Sequence, residues 1–137
     1  MKVLLDINIV LDFFMEREPY FKEIKKIFNA VEKRKIDGFL CASSMDTIHY
    51  LVQKAYNKKT ADDVVYKLLK LFDVTPVTKE VLLEALNSGF NDFEDSIIYS
   101  SAYLQGIDFI ITRDKKGFKT SKVKVLTPVE FLSKIVD

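Results

Sequence analysis

Three aspartates stand where an α/β chain could bring their side chains together. Asp6 directly follows the apolar run Val3-Leu4-Leu5, and Asp114 follows a second strand-like run, residues 109–112, by two residues. Asp95 lies in the first turn of a predicted helix between them. In a parallel sheet the carboxyl ends of neighbouring strands meet at one edge, and the working sites of such folds lie there. We therefore expect the three carboxylates to converge.

The chemistry open to such a cluster is metal-assisted hydrolysis. Close carboxylates repel one another by about 4 kcal/mol per pair at an effective dielectric of about 20, so they favour a bound cation. Mg²⁺ and Mn²⁺ prefer oxygen ligands, and they can activate a water for attack on a phosphodiester. No Ser–His–Asp arrangement is evident, and a single histidine, His49, excludes a two-histidine ribonuclease mechanism.

The same residues also permit a purely structural interpretation. Asp92 and Asp95 have the spacing of a helix-capping pair, and an acidic residue at a helix N-terminus contributes about 0.3–1 kcal/mol. Asp114 could simply begin the turn Asp114-Lys115-Lys116-Gly117. Asp6 fits this interpretation less well, because a carboxylate that closes an apolar strand gains little for folding. The pattern by itself leaves both interpretations open.

The elements that position these residues follow from the alternation of apolar runs with amphipathic segments. Short strands are predicted over residues 3–5, 39–41, 74–77, 109–111 and 122–126, with helices between and after them. The run with Pro76 is expected at a sheet edge. This alternation predicts an α/β fold, a three-layer α/β/α sandwich with a mainly parallel central sheet of four or five short strands, formed by one domain over residues 1–137.

Helix boundaries are predicted from residues that favour caps. The expected N-caps are Ser43 or Ser44, Thr60, Thr78 and Asp92, the expected stop of the Asp92 helix is Gly106, and Pro128 is expected at the first position of the last helix.

Composition indicates a folded chain and excludes several classes of site. Hydrophobic residues make up 48% and charged residues 30% of the 137 positions, and the net charge is +1, so any affinity for nucleic acid must come from local patches. Cys41 is the single cysteine, which excludes an internal disulfide and a cysteine-based zinc site. No run approaches the roughly 18 apolar residues of a membrane span. Asp6 interrupts the N-terminal apolar run before a signal-like region can form, so we expect a cytoplasmic protein.

Three stretches in order resemble the PIN-domain family. The run from Val3 to Asp12 is similar to the family's opening strand and first acidic residue, with Asn8 two positions later. Residues 92–102 resemble its third motif and residues 109–118 its fourth, a strand followed by Thr-Arg-Asp and a downstream Phe. The match extends to residues 126–132, so it covers essentially the whole chain.

The resemblance implies a Mg²⁺- or Mn²⁺-dependent endoribonuclease in which Asp6, Asp95 and Asp114 hold the metal. Many small bacterial and archaeal members, the VapC-like toxins, form homodimers and are neutralised by an antitoxin protein. We therefore expect an RNA substrate, an antitoxin partner and a homodimer.

One departure from the family pattern concerns the helix after the second strand, where the family usually carries a Glu. The segment from Ser43 to Tyr50 contains no Glu. His49 falls near that place, and Asp46 lies one turn earlier, so either could substitute, or three carboxylates could act alone. The alternative is a degenerate, non-catalytic PIN domain that binds RNA or a protein partner.

Further residues near the motifs have a functional and a structural interpretation each. Asn8 could orient Asp6 or a metal-bound water, or cap the first helix. Thr112 could bond a carboxylate or a phosphate, or simply favour a strand. Glu94 is expected to face solvent. The candidates for RNA-backbone contacts, which could equally form a solvated charged face, are Arg17, Arg113, Lys115 and Lys116.

Two other enzyme classes also place an Asp after the first strand. A haloacid-dehalogenase-like domain requires a second Asp two residues later, where this chain has Asn8. A receiver domain requires an acidic pair before its phosphorylated Asp, and Val3-Leu4-Leu5 supplies none.

Overall fold

The five strands of the sheet all run parallel. The structure is a computed structural model that describes residues 1–135. Its strands are β1 (Lys2–Leu5), β2 (Asp37–Cys41), β3 (Asp73–Thr75), β4 (Phe109–Ile111) and β5 (Lys124–Leu126), in the order β3-β2-β1-β4-β5. The predicted parallel sheet is confirmed, and the strand that precedes Pro76 lies at its edge.

Seven α-helices within residues 1–135 cover the two faces of this sheet. They are α1 (Ile7–Phe14), α2 (Phe21–Glu32), α3 (Ala42–Ala55), α4 (Lys58–Leu71), α5 (Lys79–Leu86), α6 (Phe93–Leu104) and α7 (Pro128–Ile135). A 3₁₀ turn spans Lys115–Phe118. Right-handed crossovers in this strand order put α1 to α4 on one face and α5 and α6 on the other. Because α7 packs against α2, it belongs to the first layer.

The central strands are apolar on both sides because helices cover both faces of the sheet. Leu4, Leu5, Ile110 and Ile111 are completely or almost completely buried. Among the helices of the described residues, none is long and apolar enough to cross a membrane.

Two of the predicted helix starts are wrong. α3 begins at Ala42 with Cys41 as its N-cap and without a side-chain cap bond, because β2 runs into the helix with no intervening loop. α4 begins at Lys58, and its cap is Asn57, whose side-chain oxygen accepts a hydrogen bond from the backbone N–H of Thr60 at 2.8 Å. Thr60 therefore lies inside the first turn, where it is a donor of the cap bond rather than the cap.

The other predicted helix boundaries are confirmed. Thr78 accepts a hydrogen bond from Val81 N at 3.2 Å, and Asp92 accepts one from Asp95 N at 2.9 Å. Gly106 follows the C-cap of α6 with φ of 69°, a left-handed conformation that favours glycine. Pro128 is the first residue of α7.

The strand order places the polar residues that follow β1 and β4 side by side. Asp6 N donates to Ile111 O at 2.9 Å, and Thr112 N donates to Leu126 O at 3.0 Å, so the ladder continues one residue past each strand. The carboxyl ends of β1, β4 and β5 therefore form one edge at which residues 6, 112–114 and 127 lie.

The corrected start of α4 predicts unequal effects of two neighbouring substitutions. Asn57→Ala should lower the free energy of unfolding by about 1 kcal/mol, since it removes the N-cap acceptor. Thr60→Ala leaves the Asn57 bond to the backbone of residue 60 in place, so it should change stability by less than about 0.5 kcal/mol. Urea unfolding of both variants measures this, and equal losses would contradict the cap assignment.

Candidate active site

Asp6 is a buried carboxylate held by two donors. It is only 7% exposed and serves as the N-cap of α1, with Oδ1 accepting from Ile7 N at 2.8 Å. Its Oδ2 accepts a hydrogen bond from Thr112 Oγ1 at 2.8 Å. Burial raises the pKa of Asp6, the two hydrogen bonds oppose that rise, and the charges of Glu94 and Asp114 add to it.

Thr112 links two of the three aspartates through its hydroxyl group. The side chain is fully buried, and Oγ1 donates to Asp6 and accepts from the backbone N–H of Asp114 at 3.1 Å. The carboxylate bond considered for Thr112 from the sequence is therefore present. This one hydroxyl sets the start of the Asp114 loop relative to β1.

Asp95 and Asp114 approach each other beside Gly117. A Cβ atom added to Gly117 would lie 3.0 Å from Asp95 Oδ2 and 3.9 Å from Asp114 Oδ2, so both carboxylate oxygens lie within 4 Å of one point. Asp114 Oδ1 also accepts from Lys116 N at 3.2 Å, so Asp114 is the N-cap of the 3₁₀ turn. Glycine at position 117 leaves room for the Asp95 carboxylate.

Burial raises the pKa of Asp95 to about 7, and the negative charges of Asp6, Asp92, Glu94 and Asp114 add to the rise. Near neutral pH this carboxyl group is therefore only about half ionised. These carboxylates give the carboxyl end of the sheet an excess of negative charge, which favours binding of a cation.

The donors suit a hard divalent cation. All are carboxylate oxygens, the ligand type that Mg²⁺ and Mn²⁺ prefer. As the side chains stand, no three acidic, histidine or cysteine side chains within residues 1–135 are close enough to hold one ion together. The carboxylates of Asp95 and Asp114 both lie beside Gly117, whereas the Asp6 carboxylate faces Thr112. The donor set fits the metal in chemistry and charge.

A partly buried ion pair ties the loop of residues 112–114 to α1. Asp12 is fully buried and accepts from Arg113 Nε at 2.6 Å and from Arg113 Nη2 at 3.3 Å. Arg17 Nη1 lies 3.5 Å from Asp12, and the Arg113 guanidinium lies 4.1 Å from the ring centre of Tyr20. Sequence reasoning missed Asp12 and Tyr20. The available signal was an acidic residue in a helix that is apolar nearly all round, because such a charge requires a partner.

Comparison with known proteins places the chain in a family. The family model of the PIN domain matches residues 2–116, which include all three aspartates.

This chain belongs to the PIN-domain family.

Known PIN-domain proteins resemble this chain in length and in fold. Ribonuclease VapC1 of Aquifex aeolicus strain VF5 is 29% identical over 134 residues, which cover 95% of this chain and 92% of that protein. The VapC20 toxin of Mycobacterium tuberculosis, which cleaves the sarcin–ricin loop, superposes with a TM-score of 0.71 at 11% identity over 90% of this chain and 98% of that chain. A toxin–antitoxin complex from Klebsiella pneumoniae gives a TM-score of 0.69 at 22% identity over 92% and 97% of the chains. The two structural similarities concern the fold.

In this PIN domain, α3 contacts α6 through Thr47 and Glu94. Glu94 is exposed, as expected. Its Oε2 atom accepts a hydrogen bond from Thr47 Oγ1 at 2.9 Å, which holds the side chain in place. His49 Nε2 lies 2.7 Å from Asp62 Oδ1, which turns His49 towards α4. Asp46 is exposed, and its charge is not among those that raise the pKa of Asp6 or Asp95. Substitution of the usual Glu by His49 or Asp46 stays a prediction.

The remaining sequence candidates lie around the same edge. Asn8, in the first turn of α1, has a buried Oδ1 atom for which residues 1–135 provide no hydrogen-bond partner, so this acceptor is available to a water. Lys115 Nζ lies 3.1 Å from Glu130 Oε1. Lys116 lines a cavity of about 150 Å³ together with Asp92, Gly117 and Lys119.

The raised pKa of Asp95 predicts a pH-dependent stability of the metal-free protein. A carboxyl group with a folded-state pKa near 7 and an unfolded value of 3.8 binds more protons when folded, so stability falls as pH rises between these values. Asp95→Asn removes this loss. Relative to wild type, the variant should gain about 1–2 kcal/mol between pH 5 and pH 8, after allowance for solvent screening.

Urea unfolding in EDTA at the two pH values measures this difference. Asp62→Asn is the control, because hydrogen bonds from Lys58 and His49 lower the pKa of Asp62, so removal of this carboxylate should give no such gain. An Asp95→Asn protein whose pH dependence equals that of wild type would contradict the assigned electrostatics.

Proposed function

We propose that this PIN domain is a divalent-metal-dependent endoribonuclease that hydrolyses RNA phosphodiester bonds and acts as the toxin of a toxin–antitoxin pair. The observation that carries the proposal is that Asp95 and Asp114 both lie beside Gly117. The hydroxyl group of Thr112 connects the Asp114 backbone to the buried Asp6 carboxylate. Similarity to Ribonuclease VapC1 supports the substrate class.

The three aspartates have two roles in this proposal. Asp95 and Asp114 would hold Mg²⁺ or Mn²⁺, and Asp6, oriented by Thr112, would complete the negative field from the β1 side. A bound metal supplies an activated water and stabilises charge on the phosphodiester. Because the pKa of Asp95 is about 7, protons compete with the cation for this carboxylate, so metal affinity should increase with pH through the neutral range.

A degenerate PIN domain that binds RNA or a protein partner is the second candidate. The observation in its favour is that α3 directs His49 to Asp62 and leaves Asp46 exposed. Within residues 1–135, neither side chain forms a hydrogen bond or ion pair with the three aspartates. Metal binding separates the two candidates, since a degenerate site would not retain Mn²⁺.

We also propose an antitoxin partner and a homodimer. The toxin–antitoxin complex from Klebsiella pneumoniae supports the first by analogy of fold. Exposed apolar side chains on α5 and at the start of α6 support an interface, since Leu83 is 52%, Leu86 70% and Phe93 51% exposed. Light scattering on the purified protein tests the dimer, and co-purification with the product of a neighbouring gene tests the antitoxin.

Cleavage of a mixed RNA panel tests the proposed activity. Wild type should cleave with Mn²⁺ and not with EDTA, and Asp95→Asn should lower the rate at least about 100-fold, a loss of about 2.7 kcal/mol of transition-state stabilisation. Asp62→Asn removes a carboxylate on α4 that contacts His49 and Lys58, and should leave the rate within about twofold of wild type.

Two results would contradict the nuclease proposal. Cleavage in EDTA would exclude metal dependence, and full activity of Asp95→Asn would exclude this site. If neither protein cleaves any RNA and wild type binds no Mn²⁺, the chain is the degenerate domain.

A further inference from the structure

Arg17 and Arg113 share one buried counter-charge. Asp12 receives two hydrogen bonds from Arg113 and lies 3.5 Å from Arg17, so two positive charges face one negative charge. The Arg17 side chain is 42% and the Arg113 side chain 28% exposed. A guanidinium group has five N–H donors, and Arg113 uses only Nε and Nη2 on Asp12. The pair retains an excess positive charge and free donors at the surface.

Arg113 also forms one wall of an open cleft. The cleft has a volume of about 420 Å³ and lies between the N-terminal ends of α2 and α7. Tyr20, Pro19, Pro128 and Val129 supply mainly apolar walls, and Glu23 adds one carboxylate. α2 begins without a side-chain cap. Phe21 N donates to Arg17 O at 2.9 Å, and the N–H groups of the next two residues add to the positive potential at this end.

The cleft opens at the same sheet edge as the three aspartates. Thr127, at its rim, follows β5, and Arg113 follows β4, the neighbouring strand about 4.8 Å away. Asp114 is the next residue after Arg113. The cleft therefore lies one strand away from the candidate metal ligands, on the face covered by α2 and α7, whereas Asp95 comes from the opposite face.

We propose that this cleft binds one nucleotide of the RNA strand, next to the phosphodiester that faces Asp114, with its phosphate on Arg17 and Arg113. The inference rests on the proposed ribonuclease function. Asp12 holds both guanidinium groups in position before RNA binds, so little side-chain entropy is lost on contact. The apolar walls beside Tyr20 receive the base or ribose.

Glu23 sets the direction in which the nucleotide lies. Its carboxylate repels a phosphate but accepts hydrogen bonds from a ribose 2′-hydroxyl group or a base amino group. The phosphate therefore lies at the arginine end and the sugar or base at the Glu23 end. An acidic protein segment would place carboxylates along the whole cleft, and Glu23 disfavours that occupant.

Binding of a short fluorescein-labelled single-stranded RNA, followed by anisotropy in EDTA, tests this site without metal or cleavage. Arg17→Gln removes one positive charge beside Arg113, and Val129→Glu adds one negative charge to the cleft wall. Val129 is 64% exposed, so its substitution leaves the core intact. Lys35→Gln also removes one positive charge, but at the amino-terminal ends of the strands, where residue 35 precedes β2. Circular dichroism verifies that all variants are folded.

Arg17→Gln and Val129→Glu should each weaken RNA binding about five- to tenfold, and Lys35→Gln by less than about twofold. Arg17→Gln should also reduce the slope of log affinity against log salt by about one. Equal losses in all three variants, no loss in any, or no RNA binding by wild type would overturn the proposal. Tighter binding of an oligoglutamate peptide than of RNA of equal length would also overturn it, in favour of an acidic protein partner.

These outcomes are independent of the nuclease assay. Cleft-dependent RNA binding without metal-dependent cleavage leaves the nucleotide site and removes the proposed activity. Cleavage that Asp95→Asn abolishes, with RNA binding unchanged in Arg17→Gln and Val129→Glu, leaves the activity and removes the cleft.

Discussion

The buried hydrogen bond from Thr112 to Asp6 is the contact on which the arrangement of this sheet edge depends. It joins the residue after β4 to the residue after β1, and Asp6 is also the N-cap of α1. The Arg113–Asp12 ion pair then ties the next residue of the loop to the same helix. Asp114 follows immediately, so its backbone position is set by two successive contacts, a buried hydrogen bond and a partly buried ion pair. The loop is therefore held both by its own hydrogen bonds and by its contacts with Asp6 and Asp12.

The cost of this arrangement is electrostatic. Burial and the neighbouring carboxylates raise the pKa of both Asp6 and Asp95, so the fold keeps acidic groups where they ionise with difficulty. Substitution of one acid by a neutral residue would relieve this repulsion in the metal-free protein. Sites that lower stability in this way are typical of functional positions, where a ligand supplies the missing interaction. The positive side of the same edge, around Arg17 and Arg113, is stabilised by Asp12 instead.

The sequence predicts this site as far as local patterns reach. Asp6 and Asp114 lie at the predicted sheet edge because each follows an apolar strand. The predicted Asp92 cap is confirmed, since its acceptor lies only three residues from its donor. Arg113 and Asp12 are 101 residues apart, so no local pattern could pair them. The cap of α4 is Asn57, three residues before the predicted Thr60, because both residue types favour helix starts and only the backbone geometry decides between them.

The proposed nuclease requires that Asp95 and Asp114 hold a divalent metal beside Gly117. A crystal of the protein soaked in MnCl₂ and measured at the manganese absorption edge tests it most directly. We expect an anomalous peak within about 2.0–2.5 Å of carboxylate oxygens of Asp95 and Asp114, and we expect this peak to be lost in Asp95→Asn crystals. A fully soaked crystal with no peak at these residues, or a peak that persists in Asp95→Asn, would show that these carboxylates do not hold the metal.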